Sequence, residues 1–315
     1  MTILVVTHTE DVTADYLILE LQARGTPYFR LNTDLFPHQY RFEADPDSFT
    51  ISDDWTSITR DATNAIWYRR YEAPSPGGLT ASDLAYVKGE SRATLDALWK
   101  TLDREFWVSN PTHISAAEGK LHQLAYARKH GVRVPETLAT NDPHAAARLA
   151  SRGPAVAKPF REKILEGDGS GPRRIIFTTA VPKGSKTFDG LHLAITIFQE
   201  EVPKSHDVRV TCIGDTAFGT AIHSQNREDS SLDWRRAEAD DLPHEAIPLP
   251  VDIEDFCLRM LRDHHLQFGA FDFAVTPKGE WIFFELNPNG QWAWIQHLTR
   301  QPLRETLADL LENPP

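Results

Sequence analysis

The sequence predicts a doubly wound α/β lobe followed by two α+β lobes. At 315 residues the chain is large for a single core, which indicates two or three lobes. Residues 2–7 form a continuous apolar run, typical of a buried parallel strand, and a helical pattern and a second strand follow it. Later strand patterns follow one another more closely, as an antiparallel sheet predicts.

Composition excludes several classes of protein. The hydrophobic fraction of 41% and charged fraction of 25% are those of an ordinary soluble globular protein. The sequence has no apolar run of membrane-spanning length and no evident signal peptide, and its two cysteines, Cys212 and Cys257, are too few for a disulfide framework. A net charge of −12 argues against general nucleic-acid binding. We therefore expect a cytoplasmic protein that binds neither membranes nor nucleic acid.

The elements of the first lobe run to a boundary near Ser109. A helix from Val12 is stopped by Gly25, because glycine readily adopts the left-handed conformation that ends helices. The further predicted elements are a strand at residues 28–31, short strands within 40–60, a strand at 65–70 and a long amphipathic helix at 83–102.

The remaining elements begin with a helix that has Ser115 as its N-cap and Glu118 three residues later, a capping-box spacing, and that runs to Gly131. The elements predicted after it are a helix at 142–151, strands at 155–158, 174–177, 195–202 and 207–212, a helix at 253–266, a hairpin at 271–287 and a helix at 302–311.

The hairpin carries a candidate metal site. Pairing Val275 with Glu280 across the turn at 276–279 sets Asp272 opposite Phe283, with Glu285 as its diagonal neighbour roughly 7–8 Å away. Alternation places Asp272, Glu285 and Asn287 on one face. The residues expected on the other face are apolar: Phe271, Phe273, Val275, Ile282, Phe284 and Leu286.

Two carboxylates and an amide oxygen suit a hard ion, so we expect one or two Mg²⁺ ions held together with substrate phosphates. The alternative is an ordinary hairpin with a solvated acidic face, although the apolar opposite face fixes the register strongly.

Other segments have features of a nucleotide site. Lys158 ends an apolar strand and is expected to contact a phosphate, whereas Gly167 and Gly169 belong either to a lid over phosphates or to a plain flexible loop. The backbone at 199–202 could bind an adenine edge. Asp207 and Arg209 share a strand face, where they either hold ribose and phosphate or form a cross-strand salt bridge.

The order of these segments resembles the ATP-grasp superfamily across residues 110–300. Five further strings, at 29–34, 66–70, 221–225, 233–235 and 285–292, resemble the microviridin-type peptide macrocyclases, the graspetide synthetases. The resemblance implies an ATP-grasp fold with an N-terminal pre-ATP-grasp domain at 1–110, a central subdomain at 111–190 and a C-terminal subdomain at 191–315.

The resemblance also implies roles for individual residues. It assigns Lys120 and Lys158 to the nucleotide phosphates and Glu200 and Val202 to the adenine hinge. Gly167 and Gly169, interpreted as a lid, and Gln199, which begins the hinge segment, are further candidates for nucleotide binding. The resemblance further assigns Asp207 to the ribose, Arg209 and Arg235 to stabilisation of the acyl phosphate and oxyanion, and Asp272, Glu285 and Asn287 to the metal.

The implied reaction uses ATP and Mg²⁺ to activate Asp or Glu side chains of a precursor peptide and to close rings with its Ser, Thr or Lys side chains. The implied partner has a leader and a core rich in Thr/Ser and Asp/Glu, and relatives suggest a homodimer. A RimK-like ligase that adds an amino acid, which would increase the mass of its substrate, and a non-catalytic nucleotide-binding module are the alternatives.

Overall fold

The computed structural model describes residues 2–102, 104–160, 164–165, 174–175, 178–227, 230–236 and 241–315. The predicted mixture of α/β and α+β architecture is confirmed. No helix among these residues is both long and apolar enough to cross a membrane.

The N-terminal lobe is built on a parallel sheet with helices on both faces. Its elements are β1 (Thr2–Thr7), α1 (Val12–Arg24), β2 (Tyr28–Asn32), β3 (Arg41–Ala44), β4 (Phe49–Ser52), β5 (Ser57–Thr59), β6 (Thr63–Tyr68), α2 (Ala81–Thr101) and β7 (Phe106–Val108). The strand order is β2-β1-β6-β7, and β3-β4-β5 form a separate antiparallel sheet. Because β2 and β6 lie on opposite sides of β1, the sheet reverses its winding between β1 and β6.

The predicted helix from Ser115 to Gly131 is wrong, because two helices replace it. They are α3 (Pro111–Ala117) and α4 (Lys120–Lys129). Asn110 caps α3 by accepting from Thr112 N–H at 2.9 Å, and Pro111 occupies the first turn, so Ser115 lies inside the helix. The Asn-Pro pair is the stronger start signal, since proline needs no hydrogen-bonded N–H there.

The central lobe contains an antiparallel sheet of order β12-β9-β13-β8. Its elements are β8 (Thr137–Thr140), α5 (Pro143–Arg152), β9 (Ala155–Lys158), β10 (Ile164–Leu165), β11 (Arg174–Ile175), β12 (Thr179–Val181) and β13 (Thr196–Glu200). Strands β10 and β11 pair with each other. The predicted strand at 207–212 lies in a different sheet from the preceding one.

That sheet has the order β16-β15-β14-β17-β18 and forms the C-terminal lobe. Its elements, with the helices that accompany them, are β14 (His206–Ile213), β15 (Thr216–Ile222), β16 (His244–Ile247), α6 (Val251–Asp263), β17 (Phe268–Val275), β18 (Trp281–Asn287), α7 (Ala293–Thr299) and α8 (Leu303–Glu312). Phe256 of α6 packs against Phe271, Phe273 and Phe283, which fixes one face of the β17–β18 hairpin in the core. The opposite face is therefore the one left for chemistry.

Candidate active site

The hairpin register differs from the prediction in two ways: it is shifted by one residue at the turn, and it contains a β-bulge at Phe284. Val275 pairs with Trp281 and Phe273 with Phe283, after which the register shifts and Asp272 pairs directly with Glu285. The predicted diagonal arrangement is therefore wrong, and Phe283 rather than Phe284 packs in the aromatic core. The extra residue places Phe284 in the cleft beside Glu285, because a bulge sets two residues opposite one.

Each carboxylate of the hairpin has a cationic partner. Arg209 on β14 donates from Nε to Asp272 Oδ1 at 2.8 Å and from Nη2 to Oδ2 at 3.3 Å. Lys120, the first residue of α4, places Nζ 2.9 Å from Glu285 Oε2, and Arg235 Nη1 lies 3.6 Å from Glu285 Oε1. The structure thus brings both predicted acids, both predicted arginines and one predicted lysine together.

These cations act differently on the two acids. Burial raises the pKa of Asp272 although Arg209 opposes the shift. Burial also opposes ionisation of Glu285, but the charges of Lys120, Arg235 and Lys158 outweigh it and hold the pKa of that carboxyl below its usual range. Glu285 is therefore the firmly ionised member of the pair.

Asn287 lies at the end of β18, where its Oδ1 accepts from Asn289 N–H at 3.1 Å. It is exposed and does not line the main cleft with the two acids; with Glu285 and Lys120 it lines a neighbouring cleft. Asn287 begins a turn that reaches Gly290, whose N–H donates to Asn287 O at 3.2 Å. Gly290 packs closely against β17, because a Cβ on Gly290 would lie 2.4 Å from Ala270 Cβ and 3.2 Å from Arg209 Nη1. The turn is thus seated directly on the strand that carries Asp272.

The main cleft, of about 500 Å³, lies between the central and C-terminal sheets. Eight of the predicted site residues line it: Lys158, Gln199, Glu200, Val202, Asp207, Arg235, Asp272 and Glu285. Gly167 and Gly169 lie outside the described residues. A volume of this size is typical of small-ligand pockets.

In the hinge segment at the end of β13, two backbone N–H groups are already hydrogen-bonded within the protein. Glu200 N–H donates to Glu136 O at 2.9 Å, and Glu201 N–H donates to Pro154 O at 3.0 Å. Within the described part of the chain, the N–H of Val202 has no acceptor. Val202 therefore offers the backbone donor for a ligand at this point.

Asp207 lies on the cleft wall but is already engaged. Lys204 Nζ contacts its two oxygens at 2.8 and 2.7 Å, and Ser224 Oγ donates to Oδ2 at 2.5 Å. Lys204, which the sequence analysis did not single out, therefore accompanies Asp207 in the cleft. Its spacing of three residues from Asp207 was the available signal.

Lys158 projects from β9 into the same cleft. Its Nζ lies 5.3 Å from the centre of the Phe284 ring. Burial lowers the pKa of Lys158, Glu285 opposes this shift, and Lys120 and Arg235 add to it, so that the resulting pKa is about 8. An anion in the cleft would therefore be strongly attracted to this ammonium group.

Arg235, in a short 3-10 turn at Trp234–Arg236, is held by Asp233. Its Nε donates to Asp233 Oδ1 at 2.9 Å and its Nη2 to Oδ2 at 3.2 Å, while Thr178 Oγ1 donates to Oδ2 at 3.0 Å. Burial opposes ionisation of Asp233, but these partners hold its pKa at about 2. Asp233 and Thr178 were missed as site residues because their contact spans two lobes.

Comparison with known proteins identifies the proteins to which this chain is similar. Residues 2–115 match the family model of the MvdD pre-ATP grasp domain. A Chryseobacterium gregarium RiPP-associated ATP-grasp ligase, solved with ADP and a leader and core peptide, is 28% identical at a TM-score of 0.90, with 99% of this chain and 97% of that chain covered. The chain is an ATP-grasp ligase that is similar over its whole length to this RiPP-associated enzyme.

Two solved macrocyclases from Microcystis aeruginosa MRC are also similar to this ATP-grasp ligase. MdnC, bound with precursor peptide MdnA, is 27% identical at a TM-score of 0.87, with 99% of this chain and 100% of that chain covered. MdnB is 28% identical at a TM-score of 0.81, with 98% of each chain covered. No curated protein matches.

Proposed function

We propose that this ATP-grasp ligase is a graspetide synthetase, which uses ATP to activate Asp or Glu side chains of a ribosomal precursor peptide as acyl phosphates. It then joins them to Ser, Thr or Lys side chains as ester or amide macrocycles. The observation that carries this function is the cleft in which a hinge, Lys158 and Arg235 converge on the paired carboxylates Asp272 and Glu285. The similar structures solved with ADP or with precursor peptide support the same reaction.

The donor set fits magnesium. Asp272, Glu285 and Asn287 would supply two carboxylates and an amide oxygen, without His or Cys, and such ligands suit a hard ion. Mg²⁺ bound there would neutralise the charge of the transferring phosphoryl group. The present partners of Glu285, Lys120 and Arg235, are then available to phosphate oxygens.

The residues support two successive substitutions. A peptide carboxylate oxygen attacks the γ-phosphorus, the bond to the β-phosphate oxygen breaks, and ADP leaves. A hydroxyl or amine then attacks the acyl carbon, its proton is lost, and inorganic phosphate departs. Arg209 and Arg235 are placed at the acid pair, where they would stabilise the acyl phosphate and the oxyanion formed from it.

We further propose that the peptide partner carries a leader and a core rich in Thr/Ser and Asp/Glu, and that the enzyme acts in the cytoplasm as a homodimer. The first of these rests on the leader and core peptide bound to the similar Chryseobacterium ligase. Size-exclusion chromatography with light scattering tests the dimer, and a monomer at micromolar concentration would contradict it.

The reaction is tested with purified protein, Mg·ATP and the peptide encoded by the neighbouring reading frame. We expect products lighter by whole water molecules, with ADP released. Glu285→Gln should abolish ring formation and preserve the circular dichroism spectrum, while Glu90→Gln, at an exposed position of α2, should behave as wild type. An unchanged precursor mass with wild-type enzyme would contradict the function, and normal turnover by Glu285→Gln would contradict the metal assignment.

A further inference from the structure

A second pocket, of about 400 Å³, opens at the end of the N-terminal sheet. His8 follows β1 and residues 68–72 follow the body of β6, so its walls lie at the carboxyl ends of these two strands. This is the place where the sheet reverses its winding, and open α/β sheets bind ligands in the crevice formed there. We call it the switch-point pocket.

Arg69 of the switch-point pocket is almost fully buried, with 1% of its surface exposed. Its Nη1 donates to Asn289 O, but among the described residues Nε and Nη2 have no acceptor. Asp11 lies 3.5 Å from Nε, yet its oxygens already accept from the Thr7 hydroxyl and from the first turn of α1. A buried guanidinium whose Nε and Nη2 lack hydrogen-bond acceptors among the described residues is costly, and it favours the binding of an additional acceptor.

The surroundings indicate which acceptor fits. Arg70 adds a second positive charge to the wall, and Glu72 and Glu118 are the acidic groups that also line the pocket. Although burial lowers the pKa of Arg69 to about 10, the guanidinium remains charged at neutral pH. A planar fork of this kind is suited to a carboxylate, which is a stronger acceptor than the Asn289 carbonyl.

The position of the pocket links it to the chemistry. Asn287 and Asn289 also line the switch-point pocket, and Asn287 in addition lines the cleft that contains Glu285 and Lys120. A carboxylate held at Arg69 therefore lies on the N-terminal side of the turn that carries a proposed metal ligand.

We propose that the switch-point pocket receives a side-chain carboxylate of the peptide substrate and that Arg69 anchors it, an inference that rests on the proposed function. The chemical class of ligand is an acidic amino-acid side chain within a peptide. The competing role for Arg69 is a purely structural tie between the N-terminal sheet and the Asn289 turn.

The test uses two small probes and the Mg·ADP-loaded full chain. The probes are N-acetyl-glutamate methylamide and its uncharged isostere N-acetyl-glutamine methylamide, titrated by saturation-transfer NMR. We expect wild type to bind the acid about tenfold tighter than the amide, as charge-assisted bonds predict. Arg69→Gln should reduce this ratio to near one, and Arg69→Lys should give an intermediate ratio because it keeps the charge and loses the fork.

Arg41→Gln is the matched control, because Arg41 is an exposed residue of β3 far along the chain from the pocket, and it should keep the wild-type ratio. The affinity for Mg·ADP identifies folded variants, and if Arg69→Gln fails this check, Arg69→Lys decides. The proposal is overturned if a folded Arg69 variant keeps the wild-type affinity ratio. It is also overturned if the wild-type protein binds neither probe, or binds both equally. Failure of ring formation would leave the ratio unchanged, so the two hypotheses are separable.

Discussion

The side-chain amide of Gln199 has an orientation that its neighbours determine. Thr137 Oγ1 donates to Pro135 O at 2.9 Å, so it has to accept from Gln199 Nε2, which lies 2.9 Å away. Gln199 Oε1 is then a buried acceptor on the cleft wall with no donor among the described residues. Such an acceptor complements the amino group of adenine and opposes the carbonyl of guanine.

We therefore expect Gln199→Ala to weaken ATP binding about tenfold and to leave GTP binding nearly unchanged. Isothermal titration calorimetry with both nucleotides measures the ratio, which general damage to the fold would not alter selectively. Gln39→Ala, at an exposed position, is the control. An unchanged ATP/GTP ratio in Gln199→Ala would remove Gln199 from base recognition.

Lys158 predicts a pH dependence of nucleotide binding. Its pKa of about 8 in the free protein should rise when a phosphate approaches, so above pH 8 binding takes up a proton and the Kd increases with pH. The limiting slope is about tenfold per pH unit. Calorimetry in two buffers of different ionisation enthalpy measures the uptake. Lys158→Arg should bind with little pH dependence between pH 7 and 9.5, and the same flat profile in wild type would contradict the role of Lys158.

At this scale the sequence indicated the acids and Lys158, because strand ends and alternation are local properties. The side-chain contacts that these residues make could not be predicted in the same way. The contacts of Glu285 with Lys120 and Arg235 join three distant segments, and the Asp233–Thr178 contact crosses lobes. Such pairings are set by tertiary packing and have no local signature.

At the scale of elements, the turn after β18 depends on Gly290. A Cβ there would collide with Ala270 and approach Arg209, so the turn that carries Asn287 would have to move. We expect Gly290→Ala to lower the rate of ring formation at least about tenfold, since small displacements of catalytic groups are costly.

The control for this change is Gly77→Ala, because a Cβ at Gly77 meets no atom within 4 Å. Single-turnover assays with saturating Mg·ATP compare the two variants, and equal rates would show that the turn tolerates displacement.

Among the elements, the long helices and the hairpin were predictable from periodicity, but two details were not. The early start of α3 follows from the Asn110-Pro111 pair, which outweighs the capping-box spacing at Ser115, and Glu118 and Gly119 separate α3 from α4. The bulge at Phe284 follows from packing, because Phe283 fits the aromatic cluster around Phe256 and alternation alone would have placed Phe284 there.

At the scale of the whole molecule, the last helix joins the first lobe. Leu307 of α8 is fully buried in a core that also contains Leu17 of α1 and Val5 of β1. Arg24 of α1 reaches Glu312 of α8 at 2.8 Å, which adds a polar contact to the same junction. The sequence predicted both helices, whereas their contact is a long-range feature that periodicity cannot supply.

We expect Leu307→Ala to lower the free energy of unfolding by about 2–5 kcal/mol, the usual cost of such a core cavity. Leu19→Ala, at a largely exposed position of α1, should change it by less than about 0.5 kcal/mol. Urea denaturation followed by circular dichroism measures both values. Equal stability of the two variants would mean that α8 contributes little to the N-terminal core.

The bulge at Phe284 has a practical consequence for protein engineering. Phe283 and Glu285 are two positions apart, yet one side chain enters the aromatic core and the other enters the cleft. If β18 were grafted beside a partner strand without the bulge, the side chains after Phe283 would point to the opposite face, and Glu285 would point into the core. Any transplanted version therefore has to retain the supernumerary residue, even where its aromatic ring is not wanted.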